Sequence, residues 1–186
     1  ELVLVDGSGY IFRAYYALPP MTRSDGLPVN AVFGFCNMLL RQLEQLQNEK
    51  GGNVSVAIIF DAARKTFRNE IFSEYKANRS EPPEDLIPQF DVIKKIPDVF
   101  NLRSIELPGY EADDLIASYS KVAKEMGIRV TIVSSDKDLM QLVSEGVYML
   151  DPIKNRELSR TEVFDKFGVY PEKVIDVQAL AGDSTD

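Results

Sequence analysis

Three aspartates of this chain, Asp6, Asp61 and Asp136, come at or just after the ends of apolar segments with the composition of β-strands. Two serines separate Asp136 from its segment. In an open parallel sheet, ligands bind outside the carboxyl ends of the strands, so we expect these aspartates to meet at one edge. Carboxylates held close together repel one another unless cations neutralise them, and oxygen ligands select hard ions. The pattern therefore predicts a magnesium or manganese site.

Six further acidic residues belong to the same prediction. They open a helical segment, follow Asp136 by two residues, or stand three residues apart at the end of the sequence: Glu111, Asp113, Asp114, Asp138, Asp183 and Asp186. Each has a simpler explanation by itself, because an acid in the first turn of a helix is commonly a cap and an aspartate before glycine commonly forms a turn. Taken together, nine carboxylates at one edge favour metal binding.

The elements that must position these acids alternate along the chain. The predicted strands lie at 2–5, 54–60, 130–133 and, more weakly, 147–150. The predicted helices lie at 31–47, 84–100, 111–123, 161–167 and 173–180. This alternation predicts an α/β fold, with a mainly parallel sheet covered by helices on both faces. A length of 186 residues with 45% hydrophobic content predicts a single domain over residues 1–186.

One basic segment, at about 62–83, departs from this regularity. Its apolar periodicity breaks down, and cations alternate with aromatic residues: Arg64, Lys65, Arg68, Lys76 and Arg79 with Phe67, Phe72 and Tyr75. The pattern predicts an exposed excursion from the sheet. The alternative is a solvated charged surface without a ligand.

Composition excludes several kinds of chemistry. The chain has no histidine and one cysteine, so it lacks a Ser-His or Cys-His dyad and cannot form an internal disulfide. The net charge of −8 is unusual for a nucleic-acid binder, but setting aside the nine acids above leaves 20 acidic residues against 21 basic ones. No apolar run is long enough to span a membrane, and the first residues already have the pattern of a strand. We therefore expect a cytoplasmic protein.

Six motifs, in order along the whole chain, resemble the 5′ nuclease domain of bacterial DNA polymerase I, a relative of the flap endonucleases. They are Val5-Asp6-Gly7, Phe60-Asp61-Ala62, Tyr75-Lys76-Ala77-Asn78-Arg79, Pro108-Gly109-Tyr110-Glu111-Ala112-Asp113-Asp114, Ser135-Asp136-Lys137-Asp138-Leu139 and Gly182-Asp183-Ser184-Thr185-Asp186. The block around Glu111 is highly specific, whereas the Asp-Gly and Phe-Asp-Ala matches carry little weight alone.

This resemblance implies a PIN-like fold and a metal-dependent phosphodiesterase that removes nucleotides or short flaps from 5′ ends of DNA. Two ions, Mg²⁺ or Mn²⁺, are implied. One would use Asp6, Asp61, Glu111, Asp113, Asp114 and Asp136, and the other Asp138, Asp183 and Asp186. Metal would lower the pKa of a bound water, which fits the missing histidine.

The same resemblance implies that the basic segment is an arch over the active site. Lys76 and Arg79 would contact the scissile phosphate, with Arg68 and Arg13 as helpers. Tyr75 and Phe67 would stack on unpaired bases. The implied partner is DNA with 5′ ends, nicks or flaps in the bacterial nucleoid, and we expect a monomer, fused in some chains to a polymerase domain.

Two departures from the family pattern leave alternatives open. Thr185 stands where serine is common, and the given sequence stops at Asp186, before the helical hairpin that binds duplex DNA in this family. One alternative is a nucleic-acid-binding module with impaired catalysis. Another is a phosphatase of the haloacid dehalogenase type, but that class needs a second aspartate two residues after the first, where this chain has Ser8.

Overall fold

The computed structural model describes residues 1–50 and 53–182, and within them six strands form one sheet. The strands are β1 (Leu2–Asp6), β2 (Ser55–Ile59), β3 (Arg103–Ile105), β4 (Val130–Val133), β5 (Val147–Asp151) and β6 (Arg156–Leu158). Their order across the sheet is β3-β2-β1-β4-β5-β6. All neighbours pair in parallel except β5 and β6, which are antiparallel. The mainly parallel sheet expected from the sequence is confirmed.

Helices connect most of these strands. The α-helices are α1 (Gly7–Ala17), α2 (Asn30–Lys50), α3 (Phe67–Ile71), α4 (Ile87–Ile93), α5 (Ile96–Val99), α6 (Ala112–Glu125), α7 (Arg160–Phe167) and α8 (Val174–Ala181). Short 3₁₀ helices lie at Asp138–Leu142 and Pro171–Lys173. Among the described helices, none combines the length and apolar character needed to cross a membrane.

The two faces of the sheet bury two separate apolar cores. Alternate residues of β1 point to opposite faces, so Leu4 packs with α6 and α7, whereas Val3 and Val5 pack with α1, α2, α4 and α5. Side chains of β1 from Val3 to Val5 are fully buried, as expected for a central parallel strand. Helices therefore cover both faces, as the sequence predicted.

Some elements differ from the sequence-based expectation. The predicted helix at 84–100 is two short helices, α4 and α5, because Pro97 has no backbone N–H to donate to the carbonyl of Ile93. Helix α1 and the short strands β3 and β6 had not been predicted. The other predicted strands and helices are present, with boundaries that differ by a few residues at most.

Candidate active site

Three aspartates lie together at the carboxyl edge of the sheet. Asp6 ends β1, Asp61 follows β2 by two residues, and Asp136 follows β4 by three residues. Because β2, β1 and β4 are neighbours in the sheet, these side chains come from adjacent strand ends. The predicted juxtaposition is present in the structure.

Asp6 is the most deeply buried of these acids, with 6% of its surface exposed. Its carboxylate caps α1 by accepting a hydrogen bond from the Gly9 N–H at 2.8 Å, and the Ser134 hydroxyl donates to its other oxygen at 2.8 Å. Burial raises the pKa of Asp6, the two hydrogen bonds oppose that shift, and the charges of Asp136 and Asp61 add to it. Asp6 is thus the N-cap of α1, and its carboxylate also lies near those of Asp61 and Asp136.

Asp61 and Asp136 are held by backbone contacts. The Asp61 carboxylate accepts a hydrogen bond from the Ala112 N–H at 2.7 Å. This contact joins the end of β2 to the first turn of α6. Asp136 accepts from the Asp138 N–H at 2.9 Å, and its own N–H donates to the Ser134 hydroxyl at 3.0 Å. Each of the two carboxylates therefore has a defined position at this edge.

The first turn of α6 carries three acids in different environments. The side chains of Glu111 and Asp114 form a reciprocal capping box, in which Asp114 accepts from the Glu111 N–H at 3.0 Å. Asp113 lies between them and faces the strand-end aspartates. Burial, and then the charges of Asp6, Asp136 and Asp61, raise the pKa of Asp113 from 3.8 to about 8. A cation placed among these four carboxylates would relieve that repulsion.

The basic segment is docked onto the start of α6. The Arg68 guanidinium donates to both oxygens of Asp114, at 2.7 and 2.8 Å, and its hydrogen bonds to Asp114 lower the pKa of that carboxyl. The Lys76 ammonium donates to Glu111 at 2.9 Å, and the Tyr75 hydroxyl donates to the same carboxylate at 3.3 Å. Two of the predicted metal ligands thus hold the segment in this structure.

Lys76 reaches Glu111 from an uncommon backbone conformation, with φ of +55°. Non-glycine residues in this region cluster at functional sites, where the surrounding structure maintains the strain. Burial lowers the pKa of the ammonium, but the hydrogen bond and charge of Glu111 outweigh it, so the net shift is upward. Lys76 is therefore a fixed positive charge beside the carboxylates.

The remaining predicted residues are distributed as follows. Asp138 opens a 3₁₀ helix and accepts a hydrogen bond from the Gln178 amide of α8. Arg79 is exposed and lies close to Lys76. Arg13 lies on α1, and its Nη1 is buried without a hydrogen-bond partner among the described residues. Asp183 and Asp186 lie outside the described residues.

Two cavities open at this edge and share Lys76, Arg79 and Glu111. The acidic cavity has a volume of about 260 Å³ and is lined by Arg68, Tyr75, Lys76, Arg79, Glu111, Asp113, Asp114, Ala117, Asp136, Asp138, Leu139, Gln141 and Leu142. The aromatic cavity, of about 420 Å³, is lined by Ser8, Ile11, Phe12, Phe60, Asp61, Ala62, Ala63, Arg64, Lys76, Arg79, Ser80, Pro82, Phe90, Asp91, Lys94 and Glu111.

The donor chemistry of the acidic cavity fits a hard divalent cation. Its carboxylate oxygens are the ligands that Mg²⁺ and Mn²⁺ prefer. Burial, and after it the charges of neighbouring carboxylates, raises the pKa of Asp113 in this cavity and that of the adjacent Asp6. Within residues 1–50 and 53–182, however, no three acidic side chains already surround a common point as metal ligands. Mg²⁺ commonly keeps several waters and uses one or two carboxylates together with phosphate oxygens. A magnesium site therefore does not require three acidic side chains around one point.

Several supporting residues had not been singled out from the sequence. Ser134 bridges Asp6 and Asp136, and its place after β4 is the one signal that could have indicated it. The Ser8 hydroxyl accepts from the Asp61 N–H at 3.0 Å, and the Lys94 ammonium donates to the Asp61 carbonyl at 3.0 Å. These contacts join residues that are far apart in sequence, so no local pattern indicates them.

Solved structures share this architecture at low sequence identity. The T5 5′-exonuclease with bound zinc superposes with a TM-score of 0.75 and 22% identity, over 100% of this chain and 68% of that chain. The catalytic core of Rad2 in complex with DNA gives a TM-score of 0.58 and 16% identity, over 98% of this chain and 55% of that chain. The chain therefore has the PIN-like fold of the flap endonucleases.

A family model described as the N-terminal resolvase-like domain of 5′-3′ exonucleases matches residues 1–168. The chain belongs to this family. DNA polymerase I of Rhizobium leguminosarum is 55% identical to it over 189 residues, which cover 100% of this chain and 19% of that protein. A 5′-3′ exonuclease of Aquifex aeolicus is 40% identical over 185 residues, covering 100% of this chain and 62% of that protein. The chain thus spans only part of the length of these relatives.

Proposed function

We propose that this chain is the catalytic part of a metal-dependent 5′ nuclease that hydrolyses DNA phosphodiester bonds near 5′ ends, nicks and flaps. The observation that carries the proposal is the group of four strand-end and helix-start carboxylates, Asp6, Asp61, Asp113 and Asp136, which lies beside the cation of Lys76. Family membership supports it, as do the similar chains that are DNA polymerase I in one case and a 5′-3′ exonuclease in another.

The cofactor would be Mg²⁺ or Mn²⁺, as two ions. A T5 flap endonuclease is described in complex with DNA and metal ions, which supports a divalent ion here too. Asp6, Asp61, Asp113 and Asp136 would hold the first ion, with Glu111 and Asp114 in contact through water, and Asp138 would join Asp183 and Asp186 at the second. A divalent ion in such a site lowers the pKa of bound water and stabilises the leaving oxygen.

The protein's own residues position the DNA strand. Lys76 lies between the two cavities, where its ammonium would pass from Glu111 to a non-bridging oxygen of the scissile phosphate. Arg79, which lines both cavities, would neutralise the next phosphate. Arg68 holds the basic segment through Asp114, and its guanidinium lies over the Phe67 ring, 4.7 Å from the centroid. Tyr75 and Phe67 would stack on unpaired bases. In this proposal the segment at 62–83 acts as the arch over the strand.

The partner is DNA in the bacterial cytoplasm and nucleoid, and fusion to a polymerase, which the name of the Rhizobium relative suggests, is part of this proposal. Family membership gives no support to the phosphatase alternative. The alternative of binding without cleavage makes a different prediction, because such a module would hold flap DNA without releasing products. Cleavage therefore separates the two.

The decisive experiment is cleavage of a 5′-labelled DNA flap by the intact protein with Mg²⁺, with Mn²⁺ and with EDTA. We expect short labelled products with either metal and none with EDTA. Asp113→Asn should abolish release, whereas Asp98→Asn, on the exposed surface of α5, should cleave like the wild type. Binding of the flap without release under all three conditions would favour the binding module instead.

A further inference from the structure

Helix α8 turns a polar side chain toward the fold and leaves apolar ones outside. Val174 is fully buried, and Gln178, one helical turn later on the same side, is partly buried. Two apolar residues of the same helix lie at the surface, with Ile175 57% exposed and Leu180 90% exposed. A polar group that leaves water costs free energy unless it finds a hydrogen-bond partner. The position of Gln178 therefore points to a specific partner inside the fold.

The partner of Gln178 is Asp138, the first residue of a 3₁₀ helix. The Gln178 Nε2 donates to Asp138 Oδ1, and among the described residues this is the one hydrogen bond that the Asp138 carboxylate accepts. The backbone of Asp138 is held separately, because its N–H donates to Asp136 at 2.9 Å and its carbonyl accepts from Gln141 at 2.7 Å. Gln178 therefore sets the orientation of the carboxylate, whereas the 3₁₀ helix sets the position of its backbone.

The charge of the donor distinguishes Asp138 from Asp114, which docks the basic segment. The Arg68 guanidinium donates to both oxygens of Asp114, and its positive charge neutralises that carboxylate. The amide of Gln178 is neutral and donates to one oxygen of Asp138, so the carboxylate keeps its charge and its second oxygen for a cation. Carboxylates that bind metal ions in proteins are commonly held by hydrogen bonds of this kind.

We propose that Gln178 is a positioning residue for the second metal ion, because its amide holds the Asp138 carboxylate in the orientation that binds the ion. This proposal rests on the proposed nuclease function, which assigns the second ion to Asp138, Asp183 and Asp186. Helix α8 ends at Ala181, two residues before Asp183 in the sequence. The contact thus joins the 3₁₀ helix that carries one proposed ligand to the helix that precedes the other two.

Replacing Gln178 with methionine tests this role. Gln178→Met keeps the length of the side chain but removes the donor, so the Asp138 carboxylate loses its fixed orientation. In a Mn²⁺ titration of the intact protein without DNA, followed by electron paramagnetic resonance of free Mn²⁺, the wild type should bind two ions. Loss of such a hydrogen bond lowers metal affinity by about 10- to 100-fold. We expect the variant to lose affinity for one ion by that factor and to bind the other ion unchanged.

A double-mutant cycle shows whether the effect of Gln178 passes through Asp138. Asp138→Asn should weaken binding of the same ion, and Gln178→Met added to it should cause a further loss of less than about twofold, because the two changes remove one interaction. A purely structural role of Gln178 would instead lower the melting temperature in EDTA and leave both Mn²⁺ affinities unchanged.

Gln45→Met is the matched control. The Gln45 amide donates to the Glu49 carboxylate at 2.8 Å on the exposed side of α2, so this variant breaks a hydrogen bond of the same type. Neither residue is among the described residues that line the acidic cavity. Both Mn²⁺ affinities of Gln45→Met should therefore equal those of the wild type.

The outcomes separate this proposal from the nuclease function. Unchanged affinities in Gln178→Met would overturn the role of Gln178 and leave the nuclease function standing, as would an equal loss in the wild-type and Asp138→Asn backgrounds. A wild type that binds one ion, with an affinity insensitive to Asp138→Asn, would remove the second site and this proposal with it, while cleavage with that one ion would still support the nuclease. A wild type that binds no Mn²⁺ would overturn both.

Discussion

At the residue scale, the environment of Asp113 sets the electrostatics of the site. Burial and then the charges of Asp6, Asp136 and Asp61 raise its pKa from 3.8 to about 8, so the native state holds this proton more tightly than the unfolded chain does. Ionisation of Asp113 therefore costs stability progressively as the pH rises from about 4, and the cost is complete above about 8. Without metal, the native state is strained at neutral and alkaline pH.

Asp113→Asn should remove this cost while it abolishes cleavage. For the metal-free protein at pH 8 we expect a melting temperature roughly 4 to 8 °C above that of the wild type, since a gain of about 2 kcal/mol shifts a domain of this size by that amount. At pH 4 the two proteins should have the same melting temperature. Thermal unfolding followed by circular dichroism in EDTA at both pH values measures the difference. Asp98→Asn is the control, and a destabilised Asp113→Asn at pH 8 would contradict the prediction.

Lys76 should contribute to the chemical step more than to binding. Replacing it with alanine removes the cation next to the scissile phosphate, and we expect a loss of roughly 100-fold in the single-turnover rate, as for removal of one preorganised electrostatic group. Lys76→Arg retains the charge and should recover part of the rate. Because Glu111 would lose its ion pair, the fold of Lys76→Ala must be verified first. A rate equal to that of the wild type would remove Lys76 from the mechanism.

At the element scale, the Arg68–Asp114 ion pair fastens the basic segment to α6. Both side chains are partly buried: 31% of the Arg68 side chain and 21% of the Asp114 side chain are exposed. The guanidinium donates one hydrogen bond to each oxygen of the carboxylate, so the ion pair is bidentate. We expect a coupling energy of about 1 kcal/mol from a double-mutant cycle of Arg68→Ala and Asp114→Ala, measured by urea unfolding. Amide exchange over residues 67–79 should accelerate in Arg68→Ala.

The Arg160–Glu172 ion pair provides the control for this cycle. Its 2.8 Å contact joins side chains that are 44% and 57% exposed, so its coupling energy should be close to zero. A coupling of similar size in both cycles, with unchanged exchange in the basic segment, would mean that Arg68 does not fasten the segment.

Sequence patterns predicted the elements that carry strong periodicity and missed those that depend on tertiary contacts. Helix α2 was predicted because apolar residues recur along it at helical spacing. Helix α1 was missed because its glycine-rich start is a poor helix former. In the structure, Asp6 caps that start, and the close crossing of α1 with α2 stabilises it: a Cβ added at Gly34 would lie 2.9 Å from the Ala14 Cβ.

The acids of the candidate site were predictable because strand ends of a parallel sheet share one edge. Their partners were not, because Arg68 and Asp114 are 46 residues apart and Ser134 and Asp6 are 128 apart. Only the folded chain shows that Glu111 and Asp114 hold the basic segment as well as belonging to the acidic edge. In the structure Glu111 and Asp114 dock that segment, whereas metal binding by the other acids is part of the proposed function.

At the scale of the whole molecule, the net charge of −8 describes the site rather than the general surface. Seven of the nine predicted acids are described; Asp6 and Asp61 lie at strand ends, and the other five line the acidic cavity. Under the proposed function, each divalent ion would neutralise two of the eight excess negative charges at one place. Monovalent salt reduces the repulsion between these carboxylates only by screening, which requires a high ionic strength.

Metal should accordingly stabilise the whole fold. A ligand that binds only the native state adds about 2.7 kcal/mol at a hundredfold excess over its dissociation constant. We expect Mn²⁺ or Mg²⁺ to raise the melting temperature above that in EDTA at pH 7.5, and sodium chloride of equal ionic strength to give a much smaller rise. Asp98→Asn should keep the metal-dependent shift, and Asp113→Asn should lose most of it. Identical melting curves with Mn²⁺ and with EDTA would show that these carboxylates bind no metal, and the proposed mechanism would then have no source for its nucleophile.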